Sequence, residues 1–293
     1  MATRSPFVRR RRLGQLLKAL RAGQNLTVEH VGKELDWSPS KVSRIETAAV
    51  KVSTTDLRAL LDLYGVTAPE EKTGFIELGK ESRESSYLMG FKDNTPVQAF
   101  EDYVGFETEA SAIRVYEPTL IPGLLQTPEY ARAVITAMLP DGTDAEMGER
   151  VALRMARQQI LGRVADPVSY WAVIDEATLR RPMGGETRRR VMREQIAKLI
   201  EVAALPRLTI QVLPFEAGAH AALNGAFTIL ELPHPADPNV VYTESMTTGA
   251  LIEDPEEVRF YRRTFERVQS EALGRDSSIA FLRDAERTYA DPA

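Results

Sequence analysis

Residues 28–46 read VEHVGKELDWSPSKVSRIE. Val28, Val31 and Leu35 recur at helical spacing, and so do Val42 and Ile45. Between the two runs, Ser38 offers an oxygen for a helix N-cap. Pro39 falls at the first helical position, where its missing N–H costs nothing. Asp36-Trp37 leaves room only for a tight connection, so the two helices must cross closely, and Gly32 supplies the small residue at the crossing. The turn of such a pair often carries Gly in a left-handed backbone. Asp36 stands there instead, and Asp tolerates that conformation better than most residues. With Val31, Leu35, Trp37, Val42 and Ile45 turned inward, Ser40, Lys41, Ser43 and Arg44 point to solvent on a helix that can enter a major groove.

Working outward, Leu13, Leu16, Leu17 and Leu20 form one apolar face of a preceding helix, ended by Gly23-Gln24-Asn25. Thr27 is placed to cap the helix that starts at Val28. Ser53 opens a further helix with Asp56 three residues on, a capping-box arrangement, and Leu57, Leu60, Leu61 and Tyr64 make its buried stripe. Geometry assigns roles on this frame. Arg44 is the first candidate for a base edge, because Arg bonds guanine O6 and N7 bidentately. Lys41, one turn earlier, shares that task or reaches a phosphate. Thr27, Lys33, Lys51 and Thr54 lie at helix starts or flanks, where phosphate contacts form. For Arg44 the alternative is an internal pair with Glu46 or Glu34, and for Lys33 and Lys51 an ordinary solvated lysine.

Charge divides the chain in the same place. The net charge is −5, yet residues 1–66 hold 12 Lys/Arg against 6 Asp/Glu, while the rest holds 25 against 36. A basic head on an acidic body fits a phosphate-binding module joined to one that binds no nucleic acid. The run Arg9-Arg10-Arg11-Arg12 has three readings: a clamp on phosphates, a flexible minor-groove arm, or a solvated helix start, which the helix dipole disfavours for cations. The first is preferred.

The string SPSKVSRIE (residues 38–46) resembles the recognition helix of the Xre/Cro–repressor class of regulators, and the similarity extends over residues 14–46. The resemblance implies a five-helix domain, whose fifth helix residues 69–84 can supply, and base or phosphate contacts at Pro39 and Ser40. Pro39, having no donor, offers only van der Waals contact, for instance with a thymine methyl. The expected base-reading set is therefore Pro39, Ser40, Lys41, Ser43 and Arg44.

Cysteine is absent, which excludes disulfides and thiolate metal sites. No segment approaches the roughly 18 apolar residues of a membrane span. Leu13–Leu20 is broken by Gln15 and Lys18, so no signal peptide is read and the cytoplasm, with the nucleoid, is the expected location. The head is assigned to residues 1–84, a polar linker to 85–96, a body to 97–285 and a tail to 286–293. In the body, helices are expected over 97–113, 128–138, 144–164, 187–203 and 254–274, the last of these long, with Phe260, Tyr261, Phe265 and Val268 on its apolar side. A loop is expected over 116–126, and strands over 168–174, 208–213, 226–232 and 240–243. Strand–helix–strand from 168 to 213 implies a parallel pair, and the whole a mixed α/β or α+β domain with a small sheet.

Chemistry in the body is sparse. His30, His220 and His234 have no metal spacing. Asp175-Glu176 reads as a helix cap before a catalytic pair, Pro122-Gly123 and Gly184-Gly185 as turns without Walker or dinucleotide spacing, and no Ser sits in a nucleophile elbow. Tyr116, Tyr130, Tyr170, Trp171 and Tyr242 read as core, with pocket lining as the alternative. No enzyme and no cofactor is expected. The blocks YEPTLIPGLLQTPEYARAVI (116–135), VIDEATLRRPMGG (173–185), LTIQVLPFEAGAHAALNGAFTILEL (208–232) and VVYTES (240–245) are similar to the DUF5753 domain, which follows an Xre-type head in WhiJ-like regulators of filamentous actinobacteria. That resemblance implies regulation of development or secondary metabolism and a small partner protein of the DUF397 type. The expected function is a transcriptional regulator binding double-stranded DNA as a homodimer, its body answering a ligand or partner. The alternative is an antitoxin-like protein that sequesters the small partner and binds DNA for autoregulation.

Overall fold

A computed structural model of the chain describes residues 6–83, 98–233, 237 and 239–290, of which 7, 98, 99 and 101 by backbone alone. The expected linker over 85–96 and His234 lie outside the described residues. Two compact units divide the chain, residues 1–90 and 91–293.

The first unit has five helices: α1 (Pro6–Gly23), α2 (Val28–Leu35), α3 (Pro39–Glu46), α4 (Thr54–Leu63) and α5 (Pro69–Glu81). Helices of 8 and 10 residues do not persist alone in water, so their shared core holds them. Leu13, Leu17, Val31, Val42, Ile45, Leu57, Leu60, Leu61 and Tyr64 form that core, each at most 4 % exposed. Leu16 departs from the expected stripe and is exposed. The buried arc of α1 is displaced toward Gly14, where a Cβ would stand 2.5 Å from the Glu46 carbonyl oxygen. The end of α3 therefore lies against the backbone of α1, and Leu16 falls on the far side of that arc.

The second unit is built on a six-stranded mixed sheet of order β3-β2-β1-β4-β5-β6. Its strands are β1 (Ala112–Glu117), β2 (Ser169–Asp175), β3 (Leu208–Leu213), β4 (Phe227–Glu231), β5 (Val240–Glu244) and β6 (Gly249–Ile252). β1, β2 and β3 run parallel, as expected for the 168–213 crossover; β4 pairs antiparallel with β1, and β5 and β6 continue antiparallel. The helices are α6 (Gln98–Glu109), α7 (Pro128–Met138), α8 (Asp144–Arg157), the short α9 (Ala177–Arg180), α10 (Arg188–Ala203), α11 (Pro255–Glu271) and α12 (Arg275–Thr288).

Several expectations are corrected. The helix expected over 97–113 stops at Glu109, and residues 112–117 form the central strand β1, part of which was expected as loop. Arg114 and Glu117 hide its alternation. Arg114 is matched by Glu231 on β4, a residue that Arg262 also reaches at 2.8 Å. The helix expected over 144–164 ends at Arg157 and closes in a 3₁₀ stretch to Gly162. β6 and α12 were not expected. α11 is therefore not the last helix, and α12 continues to Thr288, past the point where a tail was expected. Ser278, Leu282 and Ala285 bury the inner face of α12, where the Ser278 hydroxyl accepts the Val212 N–H at 3.0 Å. Phe260 is exposed, whereas Phe265 and Val268 are buried. Asp175 and Glu176 are structural: Asp175 accepts the Ala177 N–H at 2.7 Å, and Glu176 accepts the Phe215 N–H at 3.0 Å and pairs with Arg180.

Candidate nucleic-acid interface

The α2–α3 corner is set by four local devices. Thr27 caps α2 by accepting the His30 N–H at 3.1 Å. Asp36 takes the left-handed conformation at φ 55°, ψ 44°, and the Trp37 N–H then returns to the Gly32 carbonyl at 2.8 Å. A Cβ on Gly32 would stand 2.8 Å from the Trp37 carbonyl oxygen, so the close crossing requires glycine there. Ser38 caps α3, accepting the Lys41 N–H at 3.2 Å, with Pro39 in the first turn. The result is a short helix whose inner side holds Val42, Ile45 and Glu46 while Pro39, Ser40, Ser43 and Arg44 stay exposed.

The expected contact residues are not equally available. Arg44 donates Nε–H to the Ser40 carbonyl at 3.3 Å, which leaves its two terminal nitrogens without a partner among the described residues. It does not pair with Glu46, because that carboxylate is held by Arg21 at 2.6 and 2.9 Å. Lys41 is engaged, lying 3.7 Å over the Trp37 ring and 3.1 Å from the Asp56 carboxylate. Asp56 thus makes only half of the expected capping box: its N–H bonds the Ser53 hydroxyl, while its carboxylate turns to Lys41. The Ser40 and Ser38 hydroxyls share a hydrogen bond at 3.0 Å. Lys33 is exposed on α2. Lys51 donates to the Arg83 carbonyl at 3.2 Å, and Thr54 accepts from the Arg83 guanidinium at 2.9 Å.

Arg9, Arg10, Arg11 and Arg12 lie within α1, which overturns the flexible-arm reading. The helical spacing begins before Leu13, and Pro6 suits a helix start. Arg9 pairs with Glu81 on α5, and Arg10, Arg11 and Arg12 are also engaged. The Arg21–Glu46 pair was not anticipated; its side chains are 13 % and 5 % exposed. Glu46 falls at i+4 from Val42 on the inward face of α3, and that spacing was its signal.

Residues 100–284 match the family described as "Domain of unknown function (DUF5753)". The chain belongs to the DUF5753 family. Residues 12–73 match a family described as "Helix-turn-helix domain", a module that makes this DUF5753 protein a DNA-binding regulator in type. No curated protein and no solved structure matches the chain. Among the described residues, no helix is long and apolar enough to cross a membrane.

The DUF5753 domain holds polar chemistry that the sequence did not disclose. A cavity of about 230 Å³ is bordered by β1, β5, α7 and α8. Arg157, 6 % exposed, closes a bidentate pair with Glu107 at 2.8 and 2.7 Å, and Glu107 also accepts the Tyr103 hydroxyl at 2.6 Å. Tyr103 stacks on Tyr242 with ring centroids 4.3 Å apart. Burial would draw the Arg157 pKa down, but Glu107 reverses the effect and holds it above the ordinary value. Arg154 bonds Gln126 at 2.8 Å and no carboxylate among the described residues; burial and neighbouring Arg157 lower its pKa to about 10. Burial, with Glu244 adding to it, pushes the Glu117 carboxyl up to about 8 against the pull of Arg154. These residues lie between positions 103 and 244, so no local spacing announces them.

Proposed function

We propose that this DUF5753 protein is a sequence-specific transcriptional regulator that inserts α3 into the major groove and catalyses no reaction. The observation that carries the reading is the state of α3. Its capped, glycine-seated backbone is fixed, and on its outer face stands an exposed Arg44 whose terminal nitrogens have no partner among the described residues. That is the geometry required for a bidentate contact to guanine. Pro39, Ser40 and Ser43 complete the base-facing surface. Lys41 exchanges Asp56 for DNA, and Thr27, Lys33 and Lys51 with the α1 arginines meet phosphates. One such helix reads few base pairs, so the protein acts as a homodimer on a near-palindrome. The body receives a ligand or a small partner protein, and the regulated genes concern development or secondary metabolism. The protein works in the cytoplasm at the nucleoid.

Selection of genomic fragments by the full-length protein near physiological salt tests this, with the Lys41→Ala/Arg44→Ala double variant alongside. A two-fold motif that disappears in the variant is expected. Enrichment without a motif, or a motif unaffected by the variant, would overturn the assignment of α3.

A further inference from the structure

The cavity of the DUF5753 domain is lined by an acid and a base that the chain does not pair with each other. Glu117, on β1, makes no hydrogen bond and no ion pair among the described residues. Arg154, on α8, has only the neutral Gln126 side chain, itself anchored by donating to the Ile121 carbonyl at 2.7 Å. Glu244 stands at the exposed rim on β5, and the Tyr242 hydroxyl beside it closes no hydrogen bond of normal geometry. Glu117 and Arg154 sense each other's charge across the cavity without touching. Both lie deep in the protein yet keep accessible surface, because that surface is cavity wall. Arg157, by contrast, is fully met by Glu107 and has no charge to offer.

A buried charge without a counter-charge is costly, and a pair meant only for stability would close. Here the carboxyl of β1 and the guanidinium of α8 border one space without closing on each other. Val134, Ile135 and Met138 of α7 with Leu153 of α8 give the cavity an apolar wall. The volume, about 230 Å³, lies below the roughly 300–1,000 Å³ of sites for drug-sized ligands. Those features define a ligand: a positive end, a negative end and a small apolar body.

We propose that this cavity binds a small zwitterion of the α-amino-acid class, its ammonium on Glu117 and Glu244, its carboxylate on Arg154, and its apolar side chain against α7. The ligand's carboxylate gives Arg154 the counter-charge that the chain withholds, and its ammonium takes the place of the proton that Glu117 otherwise keeps near neutral pH. A pure cation would leave Arg154 unmet, and a pure anion would leave Glu117 unmet. The proposal deepens the sensing role given to the body above and rests on that reading only for the consequence of binding, not for the binding itself.

Titration calorimetry on the full-length protein without DNA tests it, so the result is independent of whether α3 reads an operator. The probes are L-leucine, L-methionine and L-phenylalanine, with 4-methylpentanoate and 3-methylbutylamine as leucine analogues lacking one charge each. At least one zwitterion is expected to bind, and leucine to bind at least about tenfold more tightly than either analogue, a difference of about 1.4 kcal/mol. Glu117→Gln should erase the preference over 4-methylpentanoate, and Arg154→Gln the preference over 3-methylbutylamine. Arg154→Lys, which keeps a cation and guards against misfolding, should retain part of it. Binding of none of the amino acids, an analogue binding as tightly as leucine, or full affinity in Glu117→Gln would each overturn the proposal.

Discussion

The head and the body of this protein use charge in opposite directions. In the head, the groups proposed to read bases lie on the outer face of α3, while a deeply placed carboxylate, Glu46, is closed by Arg21. In the body, Glu107 and Arg157 are sealed against each other, and Glu117 and Arg154 face a cavity unpaired. An outward charge is solvated and leaves folding nearly indifferent to it. An inward charge is held only because surrounding structure forces it, so its removal is felt in stability before function. The molecule carries one tryptophan in each unit, Trp37 and Trp171, so single-tryptophan variants report the two units separately.

The sharpest test of that contrast deletes the acid of each closed pair. Glu107→Ala strands a guanidinium that is 6 % exposed and should cost the body about 3–5 kcal/mol in denaturant melts read at Trp171. Glu46→Ala should cost the head less, about 1.5–3 kcal/mol read at Trp37, because Arg21 keeps its 2.6 Å bond to the Leu26 carbonyl and lies nearer to solvent. Equal losses would mean that the head seals its charge as tightly as the body. Gly14→Ala should follow at about 1–3 kcal/mol, since its Cβ meets backbone atoms of α3 that cannot rotate away. An unchanged head melt in that variant would refute the close packing of α1 on α3.

What the sequence disclosed follows the same division. The helix-turn-helix was legible because each of its determinants is local: Ser38 with Pro39, Gly32 at the crossing, Asp36 in the turn, and two apolar stripes within twenty residues. Partners brought from outside that window were not legible, namely Arg21 against Glu46, Lys41 against Asp56, and Arg83 against Lys51 and Thr54. In the body, α7, β3 and α10 followed from their patterns, whereas β1 was read as helix end and loop because Arg114 and Glu117 interrupt its apolar run. Those two residues make sense only beside Glu231, which the chain reaches more than a hundred residues later, and beside a cavity assembled from elements between residues 100 and 244. Arg44→Ala probes the legible side. It should leave both melts unchanged, weaken binding to the selected DNA by about 1–3 kcal/mol and relax one base preference. Equal loss on selected and random DNA would make Arg44 a phosphate contact instead.

The smallest effect separates an open charge from a closed one by pH. The Glu117 carboxyl has an ordinary value of 4.5 and is raised to about 8 in the folded body. Facing it are Glu244, Arg154 and the Arg157–Glu107 pair, with Tyr116, Tyr130, Tyr170 and Tyr242 around them. Between these two values the folded state binds more protons than the unfolded state, so stability falls as pH rises from about 4.5 to 8. Glu117→Gln holds the neutral form at every pH and removes that component. Body melts of the two proteins should therefore nearly coincide at the acid end and separate toward pH 8, with the glutamine variant more stable. One unit of such a shift is worth about 1.4 kcal/mol, so the separation near pH 8 should be at least about 1 kcal/mol, or roughly 2–4 °C. If Glu117 instead closed a stabilising ion pair with Arg154, the sign would reverse and the variant would melt lower near neutral pH. A difference that stays constant across the range would mean that Glu117 titrates as an exposed residue and the cavity holds no orphan charge.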